Sequence, residues 1–241
     1  LQTTLPDFPV PDGETVHSYL RKLTYEGAKV RYRELTPKVV GQLEHELKII
    51  QKLNLSGYFL IVWDIARFCK TNGILSQGRG SAANSAVCYC LEVTAVDPIK
   101  LDLLFERFVS ENRKEPPDID IDIANNRREE VIQYVYNKYG RNHAAMVCEV
   151  ISYRGRSATR DVGKALGFSL EEVDLLAKHL DHYSDAEEMT ERLTEINFKT
   201  DSRRVKLLVE LCRQIHRFPR HLGIHVGGMI ITKRPLTQVV P

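Results

Sequence analysis

"EPPDIDIDIANNRREE", residues 115–130, sets three aspartates at alternate positions behind a double proline, then breaks into a charged run. Successive side chains of a strand point to opposite faces, so Asp118, Asp120 and Asp122 share one face and Ile119, Ile121 and Ile123 the other. The isoleucines ask for helices to bury them, which leaves the carboxylates on an open face. Like charges at this spacing repel unless something positive sits among them. From about Arg127 to Tyr139 the pattern turns helical and ends at Gly140. A strand with one buried face followed directly by a helix indicates an α+β body.

The residues alone leave three readings of the acidic row. Paired carboxylates can bridge two Mg²⁺ ions roughly 3.5–4 Å apart, the arrangement used for in-line phosphoryl transfer. Their hard oxygens suit Mg²⁺, which keeps some waters and binds substrate phosphates. A calcium loop is the second reading, since Asp118, Asp120, Asp122 and Glu129 fall at its first, third, fifth and twelfth positions. That loop needs glycine at the sixth position for its sharp turn, and Ile123 stands there. The third is a solvated strand face that happens to be acidic.

Working upstream, "GILSQGRGSAANS", residues 73–85, leads glycines into a helix expected from Ser81. Exposed N–H groups and a helix N-terminus bind anions, and Gly78 and Gly80 allow a phosphate close to the backbone. Arg79 adds charge, while Ser81, Asn84 and Ser85 add donors. Neither the GxxxxGK[ST] nor the GxGxxG pattern is present, and an ordinary N-cap turn would read the same way. Between loop and acidic row, Arg107 in "LLFERF" either covers phosphates or pairs with Glu106. Further up, Thr36-Pro37 starts a helix carrying Val39, Val40, Leu43, Leu47 and Ile50. A mostly buried helix covers Tyr58 to Lys70 and stops at Asn72-Gly73, and "LPDFPVPDGE" reads as a linker or extended lead-in.

Downstream, residues 150–218 read as all helical, with a capping box at Ser169 and Glu172. "ISYRGRSATRDVGKALG", 151–167, clusters Arg154, Arg156, Arg160 and Lys164; the last three lie one helical turn apart. Such a stripe suits tracking phosphates without reading bases; the alternative is a solvated face pairing with Asp161 or other nearby acids. Tyr153 either stacks on a base or packs. His221 and His225 are i, i+4, but "HLGIHVGG" is too rich in glycine and β-branched residues for a zinc helix, so they read, with His216, as structural or phosphate-contacting. "HVGGMIIT", 225–232, returns to strand character. The order implies a helical insertion flanked by halves of one sheet.

Composition sets outer limits. With 34 basic and 32 acidic residues in 241, net charge is +2, so overall basicity gives no sign of a nucleic-acid partner. No apolar run approaches a membrane span, no signal peptide is visible, and five cysteines without a CxxC pair suit a reducing compartment, the cytoplasm. A start at Leu1 and a stop at Pro241 just after a strand-like run read as a piece of something longer.

"GYFLIVWDIARF", "GRGSAANS", "LLFERF", "PPDIDIDI", "RREEVIQYVYNKYG" and "HVGGMII", in this order, resemble the palm and thumb of bacterial family C DNA polymerases, the alpha subunits of DNA polymerase III and their relatives. "GILSQGRGSAANSAVCYCL", "VISYRGRSATRDVGKALG" and "FPRHLGIHVGG" look most like the error-prone, damage-tolerant branch. The resemblance covers essentially the whole chain. It implies a polymerase-beta-like nucleotidyltransferase palm over residues 1–149, an inserted helical thumb over 150–218 and a returning palm segment over 219–241. It implies two Mg²⁺ ions on Asp118 and Asp120, with Asp122 a less essential third metal-site member. Gly80 and Ser81, with Gly78 and Arg79 beside them, match the element at the dNTP triphosphate, and Arg107 an arginine that contacts incoming nucleotide. Arg154, Arg156, Arg160 and Lys164 match a region that grips primer-template DNA. The implied activity is template-dependent DNA synthesis in replication, repair and damage tolerance, with no membrane; other replication or damage-response proteins would bind through missing regions. Two features depart from the family: Ile123 replaces its usual phenylalanine, and its later "FD-LGL" segment with a third catalytic aspartate is not found. The piece is therefore expected to be inactive alone. A metal-dependent nuclease or a non-catalytic nucleic-acid-binding module are the alternatives.

Overall fold

Thr36 accepts a hydrogen bond from the Val39 N–H and Pro37 takes the first turn of α2 (Pro37–Lys52), the start its sequence predicts. The computed structural model describes residues 6–110, 117–179 and 202–238. Ahead of α2 lies α1 (Val16–Arg31), begun by Thr15 and Ser18 capping one another. Nothing in the sequence pattern had marked α1, because its buried stripe is Leu20, Thr24 and Ala28, too small and polar to stand out. α3 (Ser56–Thr71) is the apolar centre, burying Phe59, Leu60, Ile61 and Val62. The lead-in is not a free linker, since Phe8 is buried edge-on to Trp63 of α3 at 6.4 Å.

Two short pieces stand where one helix from Ser81 is expected. Gly80–Asn84 forms a 3₁₀ turn, and α4 (Ala86–Cys90) starts afresh with Ser85 accepting from the Cys88 N–H. Gly80 has φ +68°, outside helical space, so the chain turns before it can coil.

β1 (Ser76–Arg79) runs antiparallel to β2 (Asp120–Ile123), pairing Arg79 with Asp120 and Gln77 with Asp122. α5 (Arg128–Tyr139) follows and ends at Gly140, φ +80°. β3 (Ala144–Ser152), which the sequence pattern did not single out, is the hydrogen-bonded neighbour of β4 (Pro219–Ile231), which starts before the expected residue 225. The His143 carbonyl accepts from Thr232 at one end and the Tyr153 N–H donates to Phe218 at the other, an antiparallel arrangement. Among the described residues the strands flanking the insertion thus pair with each other, and β1–β2 is a separate ribbon rather than part of the same sheet.

Two compact units result, residues 1–145 with 229–241, and residues 146–228. The second holds α6 (Gly155–Ala165), α7 (Leu170–Lys178), capped by Ser169 and Glu172, and α8 (Arg203–Ile215). Phe168, Val173, Leu176, Val205 and Leu208 form its own core. Residues 180–201 of the expected helical run lie outside the described residues. All five cysteines are free; Cys148 on β3 is exposed and Cys69, Cys88, Cys90 and Cys212 are buried. Among the described residues no helix is long and apolar enough to cross a membrane. Helices with small sheets make this an α+β chain.

Candidate active site

The acidic row has the two-faced character its alternation predicts. Asp118, Asp120 and Asp122 are exposed. Ile119 and Ile121 pack on the main core, and Ile123 joins Cys69, Ile74 and Val131. The ladder holds only Asp120 to Ile123, so Asp118 lies ahead of the strand proper. There the Ile119 N–H donates to the Tyr58 hydroxyl oxygen at 3.0 Å. Burial pushes the Tyr58 hydroxyl up to about 12, so it stays neutral at ordinary pH.

Among the described residues the positive charge beside the aspartates is Arg79, brought there by the β1–β2 register. Its Nε lies 2.9 Å from Asp122 Oδ1, and a terminal nitrogen lies 3.9 Å from Asp120 Oδ2. All three side chains are more than half exposed, so these pairs contribute little to stability.

The glycine loop divides its labour. Gly78 is buried, its N–H donates to the Val93 carbonyl at 2.7 Å, and a Cβ there would lie 2.6 Å from that same oxygen. Its lack of a side chain therefore serves close packing of the chain on itself, and its amide is not open to a phosphate. Gly80 is exposed, and a Cβ on it would sit 3.9 Å from Asp120 Oδ2, which places this turn beside the acidic row. Ser81 is half-buried and its carbonyl accepts from the Asn84 amide.

The anion site expected at the following helix start is already filled. Glu46 of α2, fully buried, accepts from the Ser85 hydroxyl at 2.8 Å and the N–H groups of Ala86 at 2.9 Å and Val87 at 3.0 Å. Gln42 adds a fourth hydrogen bond at 2.9 Å. Burial nonetheless raises the Glu46 pKa against the pull of these donors. Ser85 and the α4 N-terminus thus bind the chain's own carboxylate. No local signal in the sequence announces this contact.

Arg107 sits on the 3₁₀ turn Phe105–Arg107, which packs beside the Gly80–Asn84 turn. Glu106 pairs with His45 at 2.9 Å, not with Arg107, which is exposed. The structure therefore gathers Asp118, Asp120, Asp122, Arg79, Gly80 and Ser81, with the Arg107 turn adjoining.

In the second unit Arg156, Arg160 and Lys164 lie exposed on α6, as their spacing predicts. Arg160 pairs with Asp174 of α7 at 3.1 Å, while Asp161 is held by Arg220 at 2.8 Å, outside the stripe. Arg154 caps the start of α6, its N–H donating to Ser157. His225 accepts through Nδ1 from the Gly227 and Gly228 N–H groups. Among the described residues no three His, Cys, Asp or Glu side chains converge where one ion could sit.

Residues 18–241 match the family described as the bacterial DNA polymerase III alpha NTPase domain. The chain is 55 % identical over 227 residues to an error-prone DNA polymerase of Anaeromyxobacter sp., covering 93 % of this chain and 20 % of that protein. An error-prone DNA polymerase of Mycobacterium tuberculosis is 53 % identical over 239 residues, 98 % of this chain and 21 % of the relative. For one of Methylococcus capsulatus the values are 52 % over 233 residues, 96 % and 22 %. The chain spans about a fifth of the length of the curated relatives it matches. With the match running through the glycine turn, the acidic row and the whole helical unit, the chain belongs to the bacterial DNA polymerase III alpha family.

Proposed function

We propose that the chain is part of a DNA-directed DNA polymerase of the error-prone kind, with residues 1–149 and 219–241 contributing to a polymerase-beta-like palm and residues 150–218 forming its thumb. Its substrates are dNTPs and primer-template DNA, and its compartment is the cytoplasm. The observation that carries this reading is the exposed row Asp118, Asp120 and Asp122 facing the Arg79–Gly80 turn. Hard, exposed carboxylate oxygens suit Mg²⁺, which keeps some waters and binds substrate phosphates as well.

Bound Mg²⁺ supplies a lowered pKa for the primer 3′-hydroxyl and charge neutralisation for the leaving pyrophosphate. The chain's own residues do the rest. Asp118 and Asp120 hold the metals, with Asp122 supporting them. Arg79, now tied to Asp122, exchanges that partner for the triphosphate; Gly80 lets it approach the backbone, Ser81 donates to it, and Arg107 reaches it from the adjoining turn. Arg154, Arg156, Arg160 and Lys164 follow the duplex backbone. Positioning and charge stabilisation then carry the chemistry without a side-chain nucleophile.

The test is templated primer extension by the full-length protein beside its Asp118→Asn form. Extension that vanishes while DNA binding persists is expected. Equal extension by both would place the metal site elsewhere. A dNTP-independent loss of DNA that Asp118→Asn abolishes would favour a nuclease.

A further inference from the structure

We propose that Tyr58 is a positioning residue that sets the catalytic geometry of Asp118 and Asp120 by holding the peptide between them. The inference rests on the metal-site reading above. Asp118 stands ahead of β2, where no ladder hydrogen bond fixes it. The Ile119 N–H, midway between the two aspartates, is held instead by the Tyr58 hydroxyl at 3.0 Å. Tyr58 is well suited to this role. It projects from α3, its ring lies edge-on to the buried Phe59 at 6.2 Å and it packs on the main core. A rigid helix therefore sets one end of the hydrogen bond and the carboxylate pair rides on the other. Partners that orient metal ligands in this way matter nearly as much as the ligands themselves.

Tyr58→Phe removes one oxygen and keeps the ring. In the full-length polymerase it should speed hydrogen exchange at the Ile119 amide. The Mg²⁺ concentration for half-maximal extension should rise about tenfold or more, the range for losing such a supporting contact. Mn²⁺ binding followed by electron paramagnetic resonance, with no nucleotide present, should weaken in parallel. DNA affinity and melting temperature should stay close to the parent's. Faster exchange with unchanged metal affinity would reduce Tyr58 to a packing contact and overturn the proposal; so would unchanged exchange. Persistent extension by Asp118→Asn would instead break the metal-site reading, while the exchange at Ile119 still reports whether the tether exists.

Discussion

Glu46 and Asp120 carry the same functional group in the same compact unit, in opposite settings. Glu46 is fully buried and accepts four hydrogen bonds, from Gln42, Ser85, Ala86 and Val87. Asp120 is exposed, beside two more aspartates, with Arg79 within 4 Å. A buried carboxylate with every oxygen engaged anchors structure, here tying α2 to the start of α4. An exposed row whose positive partner among the described residues is Arg79 keeps capacity for a ligand. The difference teaches that the glycine-serine segment has two halves, one locked by Glu46 and one open beside the aspartates.

The sharpest way to break this contrast is to exchange the consequences. Asp120→Asn should cut primer extension by the full-length protein about a hundred- to a thousand-fold, roughly 3–4 kcal/mol, with little change in melting temperature. Glu46→Ala should do the reverse in kind: leaving its donors unpaired costs about 3 kcal/mol of stability by denaturant titration. If Glu46→Ala kept its stability, or Asp120→Asn lost it, the division into anchor and open site would fail. Glu46 also has a pH signature. Its folded pKa lies above the ordinary glutamate value of 4.5, so the linked stabilisation is full below that value and is lost as pH rises through the folded pKa. A Glu46→Gln form should lack this decline in an acid-to-neutral stability series.

Arg79→Ala distinguishes a counter-ion from a phosphate ligand. Loss of a charge-assisted contact to the triphosphate should raise the KM for dNTP about tenfold, ~1.4 kcal/mol. An unchanged KM would leave Arg79 only neutralising Asp122. The smallest effect belongs to a third kind of carboxylate, Glu210 on α8, which is half-exposed and held by Arg213 and Gln214 at a pKa of about 2. Its stabilisation is present above pH 4.5 and lost as pH falls towards 2. Glu210→Gln should therefore match the parent at the acid end and trail it slightly at neutral pH.

These elements also mark what was legible in the chain. Alternation announced the two faces of residues 118–123, and the caps at Thr36 and Ser169 announced their helices, because both signals are local. Glu46 meets Ser85 across 39 positions and Tyr58 meets Ile119 across 61, distances at which periodicity carries no information. Gly78 looked like a phosphate-approach glycine since close packing against Val93 and close packing against a ligand ask for the same missing side chain. β3 was missed because its nine residues "AAMVCEVIS" mix apolar and polar side chains without regular alternation.

The cysteines give the chain a ready-made optical handle. Burial holds the Cys90 and Cys212 thiols at about 12 and 11 and raises Cys69 and Cys88 as well, which suppresses the reactive thiolate at neutral pH. Cys148 alone of the five is exposed, and it sits in the helical unit. A maleimide fluorophore added to this chain should therefore settle on that one strand, reporting on the α6 unit without any engineered label site.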